Sequence, residues 1–127
     1  MFTLDQIHLA SNKVTSGADF PQLVRDLQAI GVTHFDTHVA DGTAQYFGVN
    51  GFAVQAGPIY PTLPIADEGS AGSMKHAITI HQQGQTDYPT FCNDAANAGV
   101  TKWTVDCAAK TVTYFDRQGV PLVVEPF

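Results

Sequence analysis

Residues 31–39 are Gly-Val-Thr-His-Phe-Asp-Thr-His-Val, and residues 99–107 repeat the pattern as Gly-Val-Thr-Lys-Trp-Thr-Val-Asp-Cys. After each glycine, aromatic and β-branched side chains alternate with mostly polar ones, which is the period of a half-buried β-strand. The same offset of 68 residues (99 minus 31) extends without a gap from Asp19 to Gly51, where 11 of 33 positions are identical. Average composition would give roughly one match in sixteen. The sequence therefore predicts an internal duplication.

The aromatic and β-branched set of each strand is expected to face a hydrophobic core. In the first copy this set is Thr33, Phe35, Thr37 and Val39, and in the second it is Thr101, Trp103, Val105 and Cys107. The alternating set is expected to face water or a ligand. It contains Val32, His34, Asp36 and His38 in the first copy, and Val100, Lys102, Thr104 and Asp106 in the second.

An amphipathic helix is predicted on the N-terminal side of each strand. Asp19 is expected to cap its first turn, and Gly31 is expected to end it. Pro21 suits the first turn because the backbone amide that proline lacks would have no helical partner there. The second copy has the same signals at Asp87, Pro89 and Gly99. A preceding helix begins with the capping-box pattern Thr3–Gln6 and is predicted to run to Gly17. The constant offset also matches His8 with His76, which favours a shared architectural role over catalysis.

Two further strands follow in each copy. The Asp41-Gly42 turn predicts a hairpin into 43–47, and Asn50-Gly51 turns the chain into 52–55. The second copy has the corresponding strands at 111–115 and 121–125. Prolines in the loop 58–70 predict a connection, with a short extended stretch at 63–65.

The resulting fold class is α+β, with a helix-helix-strand-strand-strand unit present twice. The antiparallel sheet is predicted to carry all helices on one face, and a pseudo-twofold is predicted to relate repeat 1 (1–57) to repeat 2 (71–127). Because a unit of about 60 residues is marginal alone, residues 1–127 are expected to form a single domain with one shared core.

Composition excludes several classes of function. The net charge of -6 and the scattered basic residues argue against nucleic-acid binding. No apolar stretch reaches the roughly 20 residues of a membrane span, and the start lacks a signal-peptide pattern, so a cytoplasmic location is expected. Cys92 and Cys107 occupy predicted core positions and are expected to be buried, reduced and inert. No motif predicts a metal or cofactor.

Three stretches resemble a known family: residues 16–21 (Ser-Gly-Ala-Asp-Phe-Pro), residues 81–88 (His-Gln-Gln-Gly-Gln-Thr-Asp-Tyr) and residues 99–106. They resemble the YbcV/YdfO-like family, small prophage-associated bacterial proteins of unknown function that are sometimes labelled "phage envelope protein". The resemblance covers nearly the whole chain. The family has no established active site, so the resemblance implies no catalytic residue. An acidic chain without an apolar span gives the envelope label no physical support.

His34, Asp36 and His38 are the first candidate site. On a straight strand, neighbouring members lie about 7 Å apart and the two histidines about 13 Å apart. His34 with Asp36, or Asp36 with His38, can therefore share a metal ion with ligands from a neighbouring strand, but all three cannot. A polar surface in water is the favoured interpretation, and a metal or acid–base site is the alternative.

The polar connection at residues 81–88 is the second candidate. Its amide and hydroxyl groups could bind a polar ligand or a partner's backbone. The candidate residues are His81, Gln82, Gln83, Gln85 and Tyr88. A helix end, a turn and an N-cap already account for the segment structurally, so binding would be an added role.

The sequence thus favours a non-enzymatic binding or interaction module for a protein or a small polar ligand, without metal or cofactor. The alternative is a small enzyme or metal-dependent hydrolase that uses His34, Asp36 and His38. The sequence leaves a homodimer open.

Overall fold

The computed structural model describes residues 1–15 and 17–127; Ser16, within the stretch of the predicted first helix and of the family resemblance, lies outside the described residues. The elements are α1 (Leu4–Ser11), α2 (Phe20–Ala29), β1 (His34–His38), β2 (Ala44–Phe47), β3 (Ala53–Ala56), α3 (Ala71–Gln82), α4 (Tyr88–Asn97), β4 (Lys102–Asp106), β5 (Thr111–Phe115) and β6 (Pro121–Pro126). The six strands form one sheet in the order β3-β2-β1-β4-β5-β6, and every neighbouring pair is antiparallel. The predicted α+β class with an antiparallel sheet is confirmed.

The two meanders meet at the central β1–β4 ladder. In this ladder Asp36 lies opposite Thr104, the residue 68 positions later in the chain. The Thr104 hydroxyl donates a hydrogen bond of 2.6 Å to Asp36 Oδ1. A twofold axis between the halves would pair residues related by the repeat in this way. The register therefore agrees with the predicted duplication and pseudo-twofold, which themselves stay predictions.

Burial alternates along the central strands as the sequence predicts. Phe35, Thr37, Trp103 and Val105 are all buried against the helices, whereas their neighbours on the other face are partly or fully exposed. The predicted inward set is thus confirmed within both strands. Thr33 was predicted to face the core but is exposed, because it precedes β1 in the turn that leaves α2.

The expectation was wrong for two residues of the polar set. Val32 and Val100 are buried rather than exposed. The reason is that β1 begins at His34 and β4 at Lys102, so both valines lie in the turns that leave α2 and α4. There the backbone does not continue the alternation of the strand.

Only some of the helix caps that the sequence predicts are present in the structure. The capping box of α1 is present, since Thr3 Oγ1 accepts from the Gln6 amide at 3.3 Å and Gln6 Oε1 accepts from the Thr3 amide at 2.8 Å. However, α1 ends at Ser11 and does not reach Gly17. The predicted Asp19 cap is also wrong: its side chain makes no cap bond to α2. It accepts instead from the amide and hydroxyl of Thr15, which closes the turn before the helix.

The first helices of the two halves are offset by 67 residues, not 68. Thr3 caps α1 and Ser70 caps α3, each through its side-chain oxygen (70 minus 3). The buried residues Ile7 and Ala10 then correspond to Met74 and Ala77. The second half therefore has one extra residue before its second helix, and the predicted match of His8 with His76 was wrong. Both histidines are exposed on their helices.

The connection between the halves contains no strand, so the extended stretch predicted at 63–65 does not join the sheet. The segment nevertheless packs against the C-terminal end of α4. The Ala66 amide donates to the Ala96 carbonyl at 2.9 Å, and the Ser70 amide donates to the Ala98 carbonyl at 2.8 Å. One hydrophobic cluster draws its members from both halves. The single-domain prediction itself stays a prediction.

Candidate functional site

The sheet face opposite the helices is referred to below as the open face. Residues directly opposite in an antiparallel ladder share a face, so the register defines this surface. Its members are Ala53 and Gln55 of β3, Gln45 and Phe47 of β2, His34, Asp36 and His38 of β1, Lys102, Thr104 and Asp106 of β4, Thr111, Thr113 and Phe115 of β5, and Val124 and Pro126 of β6. All of them are partly or fully exposed.

His34, Asp36 and His38 lie on this face, but each makes separate contacts. His34 Nδ1 is 3.0 Å from the Thr33 hydroxyl. Asp36 accepts the hydrogen bond from Thr104, and His38 is exposed. Within residues 1–15 and 17–127, no group of three or more His, Cys, Asp or Glu side chains is placed to hold a metal ion. The convergence that a hydrolase site would require is therefore not made by the described residues.

Two phenyl rings of the open face are each in contact with a neighbouring side chain. The His34 imidazole stacks on Phe47 with ring centroids 4.4 Å apart and planes at 6°. Lys102 Nζ lies 5.3 Å from the centroid of Phe115. Both phenyl rings are half-buried. Each ring therefore presents an apolar surface that its neighbour holds in a defined orientation.

Charge is distributed unevenly across the two central strands. His38 lies opposite Lys102 at one end of the β1–β4 ladder, and His34 lies opposite Asp106 at the other. Asp106 Oδ1 also accepts from the amides that follow it, at Ala108 and Ala109. The open face thus carries Lys102 at one end of this ladder and Asp106 at the other, separated by the Asp36–Thr104 hydrogen bond.

The second candidate segment, residues 81–88, lies between α3 and α4 on the helix side of the sheet. His81 stacks on the buried Phe91 with centroids 4.5 Å apart, and its Nδ1 is 3.0 Å from the Thr86 carbonyl. The side chains of Gln82, Gln83 and Gln85 are exposed, and Gln85 Nε2 donates to Gln83 Oε1 at 2.6 Å. No hydrogen bond or ring contact among the described residues joins the segment to the open face. The two candidate groups therefore do not form one site.

Tyr88 is 41% exposed, and its ring lies edge-on to the buried Trp103 with ring centroids 6.4 Å apart. Burial raises the pKa of the Tyr88 hydroxyl. The predicted burial of both cysteines is confirmed, since Cys92 and Cys107 are buried. Burial and the nearby Asp106 raise the pKa of Cys107 to about 11. Neither thiol is in a position to act as a nucleophile at neutral pH.

A groove between α3 and α4, with a volume of about 540 Å³, was not predicted from the sequence. Its walls carry Ser73 and His76 of α3 and Asp94 and Asn97 of α4. The residues face each other because α3 and α4 are joined by a tight turn and pack side by side. One local signal marks the site: Asp94 lies in the last turn of α4, where the helix dipole disfavours an acidic side chain.

None of the described helices is both long enough and apolar enough to cross a bilayer. A search of curated proteins finds no match to the chain. The match to a family model is extensive, because it covers residues 8–126, which include all ten helices and strands at least in part. The chain therefore belongs to the family described as "Protein of unknown function (DUF1398)".

Proposed function

We propose that this protein is a non-enzymatic interaction module of prophage origin that acts in the cytoplasm and binds a partner protein through the open face. The observation that carries the proposal is that a six-stranded sheet leaves one whole face uncovered. The helices and the core lie on the other side. The open face is not needed to complete the fold, so its side chains are available for a partner.

The contacts of the two phenyl rings on the open face support protein binding. Aromatic side chains are enriched in protein interfaces because they bury a large area at a small entropic cost. Phe47 and Phe115 are already held against His34 and Lys102, so little further ordering is required on binding. These four side chains are expected to contribute most of the affinity.

The shape of the surface favours a protein over a small molecule. Neither of the two cavities described in the structure is lined by an open-face residue. Six strands at about 4.8 Å spacing and five residues at about 3.3 Å give a projected area on the order of 500 Å². This is near the lower end of the area that one partner contributes to a specific protein interface.

The charges set the orientation of the partner. Its surface is expected to place an acidic group over Lys102 and a basic group over Asp106. Like charges in either place would oppose binding. The hydrolase alternative that uses His34, Asp36 and His38 stays an untested alternative, and no contact among the described residues favours it.

A photo-crosslinking residue at Thr113, on the open face, tests the proposal against the same residue at Thr79, which is exposed on α3. The protein crosslinked from Thr113 in cells is identified, purified and titrated against the variants. Lys102→Glu is expected to weaken its binding at least about tenfold, the effect of losing one well-placed charge. Lys75→Glu, an equal charge change on the helix side, is expected to have less than about a twofold effect.

Two outcomes contradict the proposal. Equal crosslinking to the same proteins from Thr113 and Thr79 would show that the open face has no preferred partner. Crosslinks only to other copies of this chain, with a dimer in sedimentation analysis, would replace the partner protein with a homodimer.

A further inference from the structure

We infer that the groove between α3 and α4 binds a small organic cation with N–H donors, a primary amine or a guanidinium, and that Asp94 is its counter-ion. The groove is on the opposite side of the sheet from the open face and is independent of the proposed function. Its volume of about 540 Å³ is within the range of small-molecule sites.

The Asp94 carboxylate lacks an internal partner. In the described part of the chain, every aspartate except Asp94 and the exposed Asp5 accepts a hydrogen bond through its side chain. Asp94 is half-buried, and no hydrogen bond or ion pair to its carboxylate is present among residues 1–15 and 17–127. A partly desolvated carboxylate in a groove is stabilised by a cation that donates hydrogen bonds to it.

The first half of the chain has an aspartate at the corresponding position, but its carboxylate has a hydrogen-bond donor within the protein. Asp26 corresponds to Asp94 at the offset of 68, and its Oδ1 accepts from Gln22 Nε2 at 2.9 Å. The residue at the place of Gln22 is Thr90, whose side chain makes no such bond. The second half therefore has the carboxylate without the internal donor.

Small residues open the groove. Ala98 ends α4 where Ile30 ends α2, and Gly72 lines the groove near the start of α3. A Cβ atom added at Gly72 would meet no atom within 4 Å. Buried Ala77 and Ala98 form an apolar floor that suits a short aliphatic chain.

The remaining polar groups define the ligand class. Among the described residues that line the groove there is no Lys or Arg, and Asp94 is the one carboxylate. The start of α3 and the end of α4 both border it, and their opposite half-charges largely cancel. The Asn97 carbonyl adds an acceptor. No Phe, Tyr or Trp lines the groove, so it lacks the aromatic cage that recognises quaternary ammonium groups.

The test is an amide NMR titration of the full chain with 1,4-diaminobutane and with agmatine, at millimolar concentrations. Tetramethylammonium and succinate are the control ligands. The amines are expected to shift the amide signals of Ser73, His76 and Asn97, and the control ligands are expected to leave them unchanged. Added salt is expected to weaken binding because one ion pair carries it.

Three variants locate the site. Asp94→Asn and Gly72→Leu are each expected to weaken amine binding at least about tenfold, the first by removing the charge and the second by filling the groove. Asp26→Asn removes the corresponding charge of the first half and is expected to change the affinity less than about twofold. Circular dichroism checks that each variant is folded. Since Gly72→Leu also improves helix propensity, it remains informative if Asp94→Asn does not fold.

The inference fails if neither amine shifts the groove signals, or if tetramethylammonium shifts them equally. It also fails if Gly72→Leu binds like the parent chain, or if Asp26→Asn is affected as strongly as Asp94→Asn. In each case the groove is only a feature of the surface.

Discussion

Gly99→Ala and Gly84→Ala form a matched pair of substitutions that tests whether the connection between the halves is part of the core. Both glycines directly follow the C-cap of a helix, Gly99 after α4 and Gly84 after α3. Both have positive φ, 80° and 76° respectively. The conformational cost of alanine is therefore nearly the same at the two positions, about 1–2 kcal/mol.

The surroundings of the two glycines differ. A Cβ at Gly99 would lie 2.4 Å from the carbonyl oxygen of Glu68 and 2.8 Å from the Cα of Gly69, whereas a Cβ at Gly84 would meet no atom within 4 Å. The atoms in contact with Gly99 are backbone and cannot rotate away. Overpacking of this kind costs about 1–3 kcal/mol. We expect Gly84→Ala to lower the free energy of unfolding by about 1 kcal/mol and Gly99→Ala by about 3 kcal/mol.

Urea unfolding followed by Trp103 fluorescence measures both values. The m-value should be the same for the two variants, because the surface exposed on unfolding does not change. In thermal unfolding, the difference of about 2 kcal/mol corresponds to a Tm difference of roughly 8 °C for a chain of this size. If the two variants agree within about 0.5 kcal/mol, the segment 57–70 does not pack against α4 in solution and the overpacking estimate is refuted.

Four further outcomes are expected. Residues 1–57 and 70–127, expressed separately, should not unfold cooperatively, and Trp103 fluorescence should be red-shifted in the isolated second half. If either half is as stable as the full chain, the single-domain prediction is wrong. Cys92→Ala should lower the free energy of unfolding, measured in urea, by about 1–3 kcal/mol. In the native protein Cys107, whose pKa is raised to about 11, should resist thiol reagents at pH 8. Lys110→Gly should raise the free energy of unfolding by up to about 1 kcal/mol, because Lys110 has a φ of 57°; no gain would show that the strain is relieved elsewhere. Protein purified without a His tag should contain less than about a tenth of an equivalent of metal, and a stoichiometric, chelator-sensitive metal would restore the hydrolase alternative.

The central strands could be predicted from sequence because their pattern depends on local alternation. Phe35 and Trp103 face the core as their period of two requires. The repeat supported the strand prediction, since the same alternation occurs twice. The prediction failed where the alternation stops. Val32 and Val100 were assigned to the outward face because the alternation was counted from them, but each lies in the turn before its strand.

The caps show a different limit. Thr3 caps α1 as predicted, because its capping box needs only residues within one turn. Asp19 has an equally suitable side chain, but Thr15 offers it two donors from outside the helix. Whether Thr15 competes for Asp19 depends on the conformation of the preceding turn. The sequence patterns of helices and caps carry no information about that conformation.

The candidate site was predicted in part. The sequence places His34, Asp36 and His38 on one face, since they share the parity of a strand. It does not reveal the stacking of His34 on Phe47, because that contact requires the register of β1 with β2. The groove at Asp94 was missed because it depends on which small residues meet when two helices pack.

The β1–β4 ladder differs from the other four in how its strands are connected. His38 and Lys102 are paired although they lie 64 residues apart, whereas Thr37 and Ala44 of the β1–β2 hairpin are only 7 apart (102 minus 38 and 44 minus 37). Closing the longer loop costs about 2 kcal/mol more in chain entropy. The hairpins of each half are therefore expected to form first, and the encounter of two partly formed meanders at Asp36 and Thr104 is expected to set the folding time of the protein.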